Sequence, residues 1–347
     1  MKKLIKRIFL INKINKAFKN NIFKDVEQNN PKKRVVVFFL CVWGEDYLDI
    51  LFNFGLPALF QKNNIPGLLS LDVKIVFNIF CENKNLKRIN DEISNHKISN
   101  GNMNFEIRFN PIHEKNAYIY FCKNLEFCLE NSYYCLDIKP DHIFIDGHVK
   151  NSFLLAENKN INLALAHPRI SFQKINKYKK SLIDFMKINK YSATSLVNLL
   201  HPLAHKKCFS NAFENLEHNT AYRGVAINEI GFNKFSVTHN LPAPYFYNFS
   251  EDDKEHFRNI NFYTDQDRGW AALLHIQKRL KVIGNSNIAF YLEATHDDDG
   301  SEVSKYNNQY NDNVKNANFY ENCMNSFYSF WLGSDIKKEQ LNENTDN

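Results

Sequence analysis

The feature that most limits what this chain can fold into is a run of nine apolar residues at positions 35–43, with four valines and two phenylalanines. β-Branched and aromatic residues favour strands, and a run without a polar residue on either face predicts a strand that is buried on both faces. Gly44 then marks a turn into a helical pattern over residues 47–60. The folded part of the chain therefore begins with a strand and a helix of the kind that build parallel sheets.

The same alternation continues along the chain. Further strands are predicted at residues 73–80, 105–109, 142–145 and 161–166, with helical patterns at 88–96, 117–136 and 149–157 between them. This spacing indicates an α/β fold, in which a mostly parallel sheet is covered by helices on both faces. In the second half we expect strands at 220–227, 234–238 and 287–293, helices at 182–188, 194–203 and 270–280, and a last amphipathic helix over 314–331.

No repeat or convincing boundary divides residues 31–333, which we interpret as one α/β domain. Residues 1–30 instead carry apolar side chains at helical spacing among lysines, which predicts a basic amphipathic helix at the N-terminus. Residues 334–347 form a polar tail that we expect to be disordered.

Charge is concentrated at the N-terminus. Residues 1–34 contain eleven Lys and Arg against Asp25 and Glu27, whereas the whole chain carries a net charge of +6, so the remainder is slightly acidic. This excludes nucleic acid as the partner of the domain, because tracking phosphates needs a broad basic face. A basic helix over residues 1–24 suits an anionic membrane surface. The alternative is a helix that docks on its own domain and leaves its lysines in water.

The compartment follows from cysteine usage and hydropathy. The seven cysteines include no C-x-x-C pair, which indicates reduced thiols rather than a disulfide framework or a zinc site. The longest apolar run is about half of a bilayer span, and the N-terminus lacks the pattern of a secretory signal. We therefore expect a cytoplasmic protein, peripheral at the inner face of the cell membrane if the basic helix binds there.

The most informative polar residues follow the predicted strand at 142–145. Asp146 emerges from the end of that strand, and His148 comes two residues later. In open α/β sheets the carboxyl ends of the strands are where ligands bind. Asp146 and His148 could together hold a divalent cation, Mg²⁺ or Mn²⁺, that bridges a diphosphate. The alternative is that Asp146 caps the next helix and His148 is solvated.

Other side chains are candidates because of their positions near predicted strand ends. Arg169 follows the strand at 161–166, and its planar guanidinium could neutralise a phosphate or instead form an ion pair. Asp297 belongs to a run of three aspartates that could serve as a base or a cation ligand, although such runs before Gly are also common turns. Glu229 could activate an acceptor hydroxyl.

The predicted order of strand, helix, strand, long Tyr- and Phe-rich helix, and a strand ending in Asp-x-His resembles glycosyltransferases of the GT-A fold. Their Asp-x-Asp motif ends such a strand and holds the metal of a nucleotide-sugar donor, whereas His148 occupies the third position here. The segments V-W-G-E-D-Y at 42–47, L-P-A-L at 56–59 and N-I-P-G-L at 64–68 also resemble the opening of bacterial proteins associated with surface polysaccharides. The resemblance implies that Trp43 and Gly44 face the nucleotide and that His239 supplies a third metal ligand.

The first hypothesis is accordingly a GT-A-like glycosyltransferase. It would move a sugar from a nucleotide sugar to a free or lipid-linked bacterial surface glycan, with a divalent cation at Asp146, His148 and His239. Asp146, Glu229 and Asp297 are its candidate catalytic groups. Two alternatives stay open: a metal-dependent hydrolase with Asp297 among its ligands, and a non-catalytic glycan-binding or assembly protein.

Overall fold

A computed structural model describes residues 34–96, 103–113, 117–205, 225–231, 234–239, 244–250, 253, 274, 277–296 and 327–332. The predicted N-terminal helix over residues 1–30 and the polar tail from residue 334 lie outside these residues. No helix within the described ranges has the length and apolar composition that crossing a bilayer requires.

Strands and helices alternate through the first two thirds of the chain. The described strands are β1 (Val35–Val42), β2 (Lys74–Cys81), β3 (Phe105–Pro111), β4 (Tyr134–Ile138), β5 (His142–Phe144), β6 (Asn162–Ala164), β7 (Arg169–Ser171), β8 (Val225–Gly231), β9 (Lys234–His239), β10 (Pro244–Asn248), β11 (Leu280–Val282), β12 (Tyr291–Thr295) and β13 (Phe327–Leu332). The described helices are α1 (Glu45–Ile50), α2 (Leu56–Leu59), α3 (Ile65–Leu69), α4 (Leu86–Asn95), α5 (Ala117–Glu130), α6 (His148–Lys159), α7 (Phe172–Asn189), α8 (Ala193–Asn198) and α9 (Leu200–Leu203), with a π-helix (Leu51–Gly55) joining α1 to α2 and a 3₁₀ turn (Asn83–Asn85) before α4.

The central sheet has seven strands in the order β11-β6-β10-β4-β1-β2-β3. Strands β4, β1, β2 and β3 are mutually parallel, as are β11 and β6, whereas β10 is antiparallel to both of its neighbours. The predicted α/β class with a mostly parallel central sheet is therefore confirmed. Two smaller sheets, in the orders β5-β12-β7 and β13-β9-β8, accompany it.

Burial of β1 on both faces explains its uniformly apolar sequence. Val36 and Phe38 point into one hydrophobic cluster, which also contains apolar residues of helices α1 to α4 and α6. Val35 and Val37 point into a second cluster on the other face, where helix α5 packs. Because successive strand residues face opposite sides, helices cover this strand from both sides, as the sequence predicted.

The structure shortens the predicted helix over residues 117–136. Helix α5 ends at Glu130, Ser132 adopts a left-handed φ of 55°, and the amide of Tyr133 donates to the carbonyl of Cys128 at 2.8 Å. Strand β4 follows at once, because aromatic, Cys and Leu residues suit a buried strand as well as a buried helix. The strand beside β1 is therefore β4, which the sequence analysis had assigned to a helix.

The strand predicted at 142–145 forms, but outside the central sheet. Strand β5 pairs antiparallel with β12, and β12 pairs parallel with β7. Asp146, which follows β5, therefore does not stand at the carboxyl edge of the central sheet. A short apolar run shows that a strand exists but not which neighbour it pairs with.

Two other elements differ from the sequence predictions. Strand β10 lies between β4 and β6, where the sequence analysis predicted no strand; Pro244 is its first residue, a position that tolerates the missing amide donor. Residues 327–332 form β13, so the C-terminal part of the helix predicted over 314–331 is a strand that pairs with β9.

Candidate functional site

A cavity of about 430 Å³ opens at the carboxyl edge of the central sheet. Three segments meet there: the end of β1, the end of β4, and the residues after β6. The antiparallel β10 begins at the same edge, because its direction is reversed. The cavity is lined by Phe39, Cys41, Trp43, Tyr47, Ala117, Phe121, Asp137, Ile138, Lys139, Pro140, Asp141, Leu165, His167, Pro244, Tyr245, Tyr247 and Tyr291. This is the place where open α/β sheets bind their ligands.

Seven aromatic side chains make up much of the cavity wall. Phe121 connects two of them, with ring centroids 5.2 Å from Phe39 and 5.8 Å from Tyr247. Tyr245 and Tyr291 meet edge to face at 6.4 Å, and Tyr245 shares a hydrogen bond with the Ser152 hydroxyl at 2.8 Å. Such rigid rings offer flat apolar faces to a base or a sugar ring.

Two carboxyl groups and one ammonium group from the end of β4 and the residues after it line the cavity. Asp137 is the fourth residue of that strand, and Lys139 and Asp141 follow it, with Lys139 exposed to solvent. The Oδ1 atom of Asp141 is inaccessible to water and has no hydrogen-bond partner. Burial, and secondarily the nearby Glu293 carboxylate, raise the pKa of Asp141 to about 7. Asp141 is thus a carboxyl group that can gain or lose a proton near neutral pH.

Four side chains form a continuous polar chain that runs from behind the cavity wall into the wall. The Nη2 atom of Arg169 lies 2.5 Å from Oε1 of Glu293, and both side chains are almost fully buried. The other Glu293 oxygen meets Nε2 of His167, whose Nδ1 lies 3.0 Å from the Tyr291 hydroxyl. Burial opposes ionisation of Glu293, but Arg169 and His167 outweigh it and hold the Glu293 pKa well below its usual range.

The same hydrogen bonds assign the proton positions on His167. Burial lowers the pKa of His167, so the ring is neutral at pH 7. Its Nε2–H then donates to the Glu293 carboxylate, and its Nδ1 accepts from the Tyr291 hydroxyl. The chain fixes Tyr291 and His167 in the cavity wall, where both contribute lining atoms.

Two further histidines pack around Tyr291, and their ring nitrogens have no hydrogen-bond partner. The His142 ring stacks on Tyr291 at a centroid distance of 4.0 Å, and both of its ring nitrogens are buried and unpartnered. His148 lies 4.9 Å from Tyr245 and 5.0 Å from Phe144, and its nitrogens are likewise unpartnered. Burial lowers the pKa of His148 to about 3 and that of His142 well below its ordinary value, so both rings are neutral.

Among the described residues that line the cavity, Cys41 is the one with a thiol. Burial raises its pKa far above the usual range, and the neighbouring Cys81 adds to this effect. A thiol that stays protonated is a poor nucleophile, so Cys41 contributes shape rather than covalent chemistry.

Of the residues predicted to bind a nucleotide, Trp43 lines the cavity and Gly44 stands beside it. Gly44 adopts a φ of 80° and a ψ of 144°, a conformation that side chains disfavour, and helix α1 begins immediately after it. Arg169 lies behind the wall rather than in it, and its guanidinium forms the ion pair with Glu293, which was the alternative interpretation for this residue.

The predicted metal ligands Asp146 and His148 have separate surroundings. The Asp146 carboxylate accepts hydrogen bonds from the backbone amide of Asn63 at 2.7 Å and from its side chain at 2.9 Å. His148 begins helix α6 and points among the aromatic rings described above. Within the described part of the chain, no three His, Cys, Asp or Glu side chains cluster as a metal site would require. The described contacts of Asp146 and His148 therefore do not form a shared cation site.

Little or nothing is described of the side chains of the remaining predicted residues. His239 ends β9 and Glu229 lies in β8, both in the three-stranded sheet with β13, and only their backbones are described. Asp297 follows the last described residue of its segment and lies outside the described ranges.

Sequence reasoning missed the polar residues that do meet at the cavity. Asp137 and Asp141 both follow the overlong helix predicted over 117–136 and were not considered as site residues, although two aspartates flanking Lys139-Pro140 after an apolar run are a strand-end signal. His167 stood next to Arg169 in the sequence and could have been considered with it. The partnership with Glu293 joins residues 126 positions apart, for which the sequence alone gives no sign.

Comparison with known protein families finds no family that matches this sequence, and no curated protein matches it either.

Proposed function

We propose that this protein is a glycosyltransferase that moves a sugar from a nucleotide-sugar donor to a hydroxyl of a bacterial surface glycan. One observation carries the proposal: a cavity at the carboxyl edge of a mostly parallel sheet has walls of aromatic rings interrupted by carboxylates. Its volume of about 430 Å³ is suited to a small organic ligand. The resemblance to GT-A glycosyltransferases, in which the end of the first strand faces the donor, is consistent with Trp43 in the cavity wall.

In this proposal the aromatic rings hold the flat faces of the donor. Trp43 and Tyr47 follow β1 and are placed to stack on a base or a sugar ring. The carboxylates of Asp137 and Asp141 accept hydrogen bonds from sugar hydroxyls, and Lys139, exposed beside them, attracts the diphosphate. Catalysis then rests on orientation of donor and acceptor and on a few fixed charges.

A divalent cation remains part of the prediction, as the Asp-x-His motif suggested. Such a cation would neutralise the diphosphate, but the described surroundings of Asp146 and His148 do not fit a shared site for it. In this proposal the residues of the cavity carry out the transfer.

The first test is a thermal melting screen of the full chain with UDP-, GDP- and CMP-sugars, with and without Mn²⁺. A true donor at about 100 times its Kd should add ~2.7 kcal/mol to the free energy of unfolding and raise Tm by several degrees. No stabilisation by any nucleotide sugar would contradict the proposal. Release of free sugar without an acceptor would indicate a hydrolase instead.

The donor found in the screen then allows a matched comparison of two aspartates. We expect Asp141→Asn to reduce transfer by at least ~100-fold, because removing one placed polar group in a preorganised site typically costs this much. Asp146→Asn should leave most of the transfer activity, because its carboxylate holds Asn63 rather than lining the cavity. The reverse pattern would return the catalytic role to Asp146, as first predicted from the sequence.

A further inference from the structure

The charges that surround the cavity are not balanced. Three carboxylates, those of Asp137, Asp141 and Glu293, face two cations, Lys139 and Arg169. His167 does not correct this, because burial keeps its ring neutral at pH 7. Arg169 is already committed to Glu293, and Lys139 is the exposed one of the two cations. When Asp141 is ionised, the described groups therefore leave the site about one positive charge short.

This charge imbalance acts on the protonation of Asp141. It is influenced by Glu293 from β12, by Arg169 from β7 and by Lys139 from its own loop, and the largest effect of these charges is the repulsion by Glu293. Its Oδ1 atom is shielded from water and accepts no hydrogen bond. The Asp141 carboxylate also lines the cavity, where it can accept a hydrogen bond from a ligand that brings an N–H or O–H group.

The aromatic wall favours a cation over a neutral donor. Trp43, Tyr47, Tyr245, Tyr247 and Tyr291 all line the cavity, and the faces of such rings attract a positive charge within about 6 Å. A neutral hydroxyl would donate to the Asp141 carboxylate but would leave the excess negative charge in place. A protonated amine satisfies the acceptor, balances the charge and packs against the rings.

We infer that the cavity recognises a protonated amino group, and that the substrate class of the transferase is an amino sugar whose ammonium group donates to Asp141. The sugar part of this inference rests on the proposed function, whereas recognition of the ammonium group rests on the charge and burial of the cavity alone. Because Asp141 titrates near neutral pH, binding of the cation at pH 7 should also displace its proton into the buffer.

The test compares D-glucosamine with D-glucose and N-acetyl-D-glucosamine by isothermal titration calorimetry on the full chain at pH 7. The three probes share the ring and differ in the charge at one position. We expect D-glucosamine to bind at least ~10-fold tighter than the other two, because hydrogen bonds to charged groups contribute more than neutral ones. Titrations in buffers of different ionisation enthalpy should show net proton release.

Two variants locate the effect. Asp141→Asn should abolish both the preference for D-glucosamine and the proton release. Asp91→Asn changes an exposed aspartate on α4 that does not line the cavity, and it should leave both unchanged. Equal affinity for D-glucose and D-glucosamine, or a preference that survives in Asp141→Asn, would overturn the inference.

The outcomes also separate this inference from the proposed function. Transfer from a donor with a neutral sugar, combined with no preference for D-glucosamine, would overturn the amino-sugar assignment and leave the glycosyltransferase standing. Binding of D-glucosamine through Asp141, without stabilisation or turnover of any nucleotide sugar, would support the ammonium site and contradict glycosyl transfer.

Discussion

Asp141 and Glu293 show how neighbours set the protonation of two carboxylates that influence each other. Glu293 is buried between Arg169 and His167, and these partners keep it ionised. Asp141 has no such partner at Oδ1 and experiences the Glu293 charge as repulsion. The fixed negative charge of Glu293 therefore helps to raise the pKa of Asp141, and Asp141 is the one of the two that lines the cavity. Two neighbouring carboxyl groups whose pKa values are shifted in opposite directions are typical of functional sites.

His148 should make the protein sensitive to acid. The native ring stays neutral down to a pKa of about 3, whereas in the unfolded chain it accepts a proton below about pH 6.5. Stability is therefore lost as the pH falls from 6.5 towards 3, and this one ring contributes about 2 kcal/mol of loss by pH 5. His148→Phe should lose about 2 kcal/mol less than the wild type between pH 7.5 and pH 5, as measured by urea unfolding.

Phe144→Leu is the matched control for this prediction, since it changes a ring beside His148 that carries no titratable group. It should lower the free energy of unfolding by the same amount at both pH values. An unaltered acid sensitivity in His148→Phe would show that other groups, such as His142, account for it.

Individual site residues could be predicted only where the sequence fixes the local geometry. The resemblance to GT-A enzymes implied that Trp43 faces a nucleotide; Trp43 follows the buried strand β1, and it lines the cavity. Asp146 also follows a strand, but the sequence could not show that this strand pairs with β12. The contacts of Arg169 and His167 with Glu293 depend on pairing between β7 and β12, which is a tertiary fact.

At the scale of elements, the strands buried on both faces were the easiest to predict. Residues 35–43 contain no polar residue and residues 73–80 contain only Lys74 and Asn78, and these segments form β1 and β2, which pair along their whole length. The boundary between α5 and β4 was lost because the apolar residues on either side of Ser132 fit both structures. A single residue in the left-handed conformation decides this boundary, and Ser gives little warning of it.

The start of helix α6 depends on a side chain from another element. Asn64, fully buried before α3, accepts hydrogen bonds from the amides of Gly147 and Val149 at 3.1 and 2.9 Å. Its own amide donates to the carbonyls of Ala58 and Ile145, both at 2.8 Å. All four hydrogen-bonding positions of this one side chain are satisfied, which joins α2, α3 and the turn into α6.

Asn64→Ala should consequently cost ~3 kcal/mol or more of stability, because it leaves several buried groups without partners. Its neighbour Asn63 is exposed and loses only one side-chain bond, to Asp146, so Asn63→Ala should cost less than about 1 kcal/mol. Urea unfolding of the two variants measures the difference. Similar losses in both would show that the Asn64 contacts are not a main support of α6.

At the scale of the whole molecule, charge and chemistry are divided along the chain. The N-terminal 34 residues carry more positive charge than the entire protein, and the cavity lies in the remainder, which is slightly acidic. In the proposed function Lys139 at the cavity attracts the donor diphosphate, so donor binding does not depend on the basic segment. The basic segment therefore has a separate purpose if it has one, and an anionic membrane that carries a lipid-linked acceptor is the partner that its composition favours.

Deleting residues 1–30 tests this division. The deletion removes eight Lys and Arg, each contributing ~1 kcal/mol near anionic headgroups, so partitioning onto phosphatidylglycerol vesicles should fall by at least ~100-fold in co-sedimentation. Neutral phosphatidylcholine vesicles should bind the full chain weakly, and added salt should weaken the anionic binding by screening. Turnover of a short soluble acceptor should persist, because every residue assigned to the cavity lies beyond the deletion. Undiminished vesicle binding would instead mean that the segment docks on its own domain, with its lysines in water.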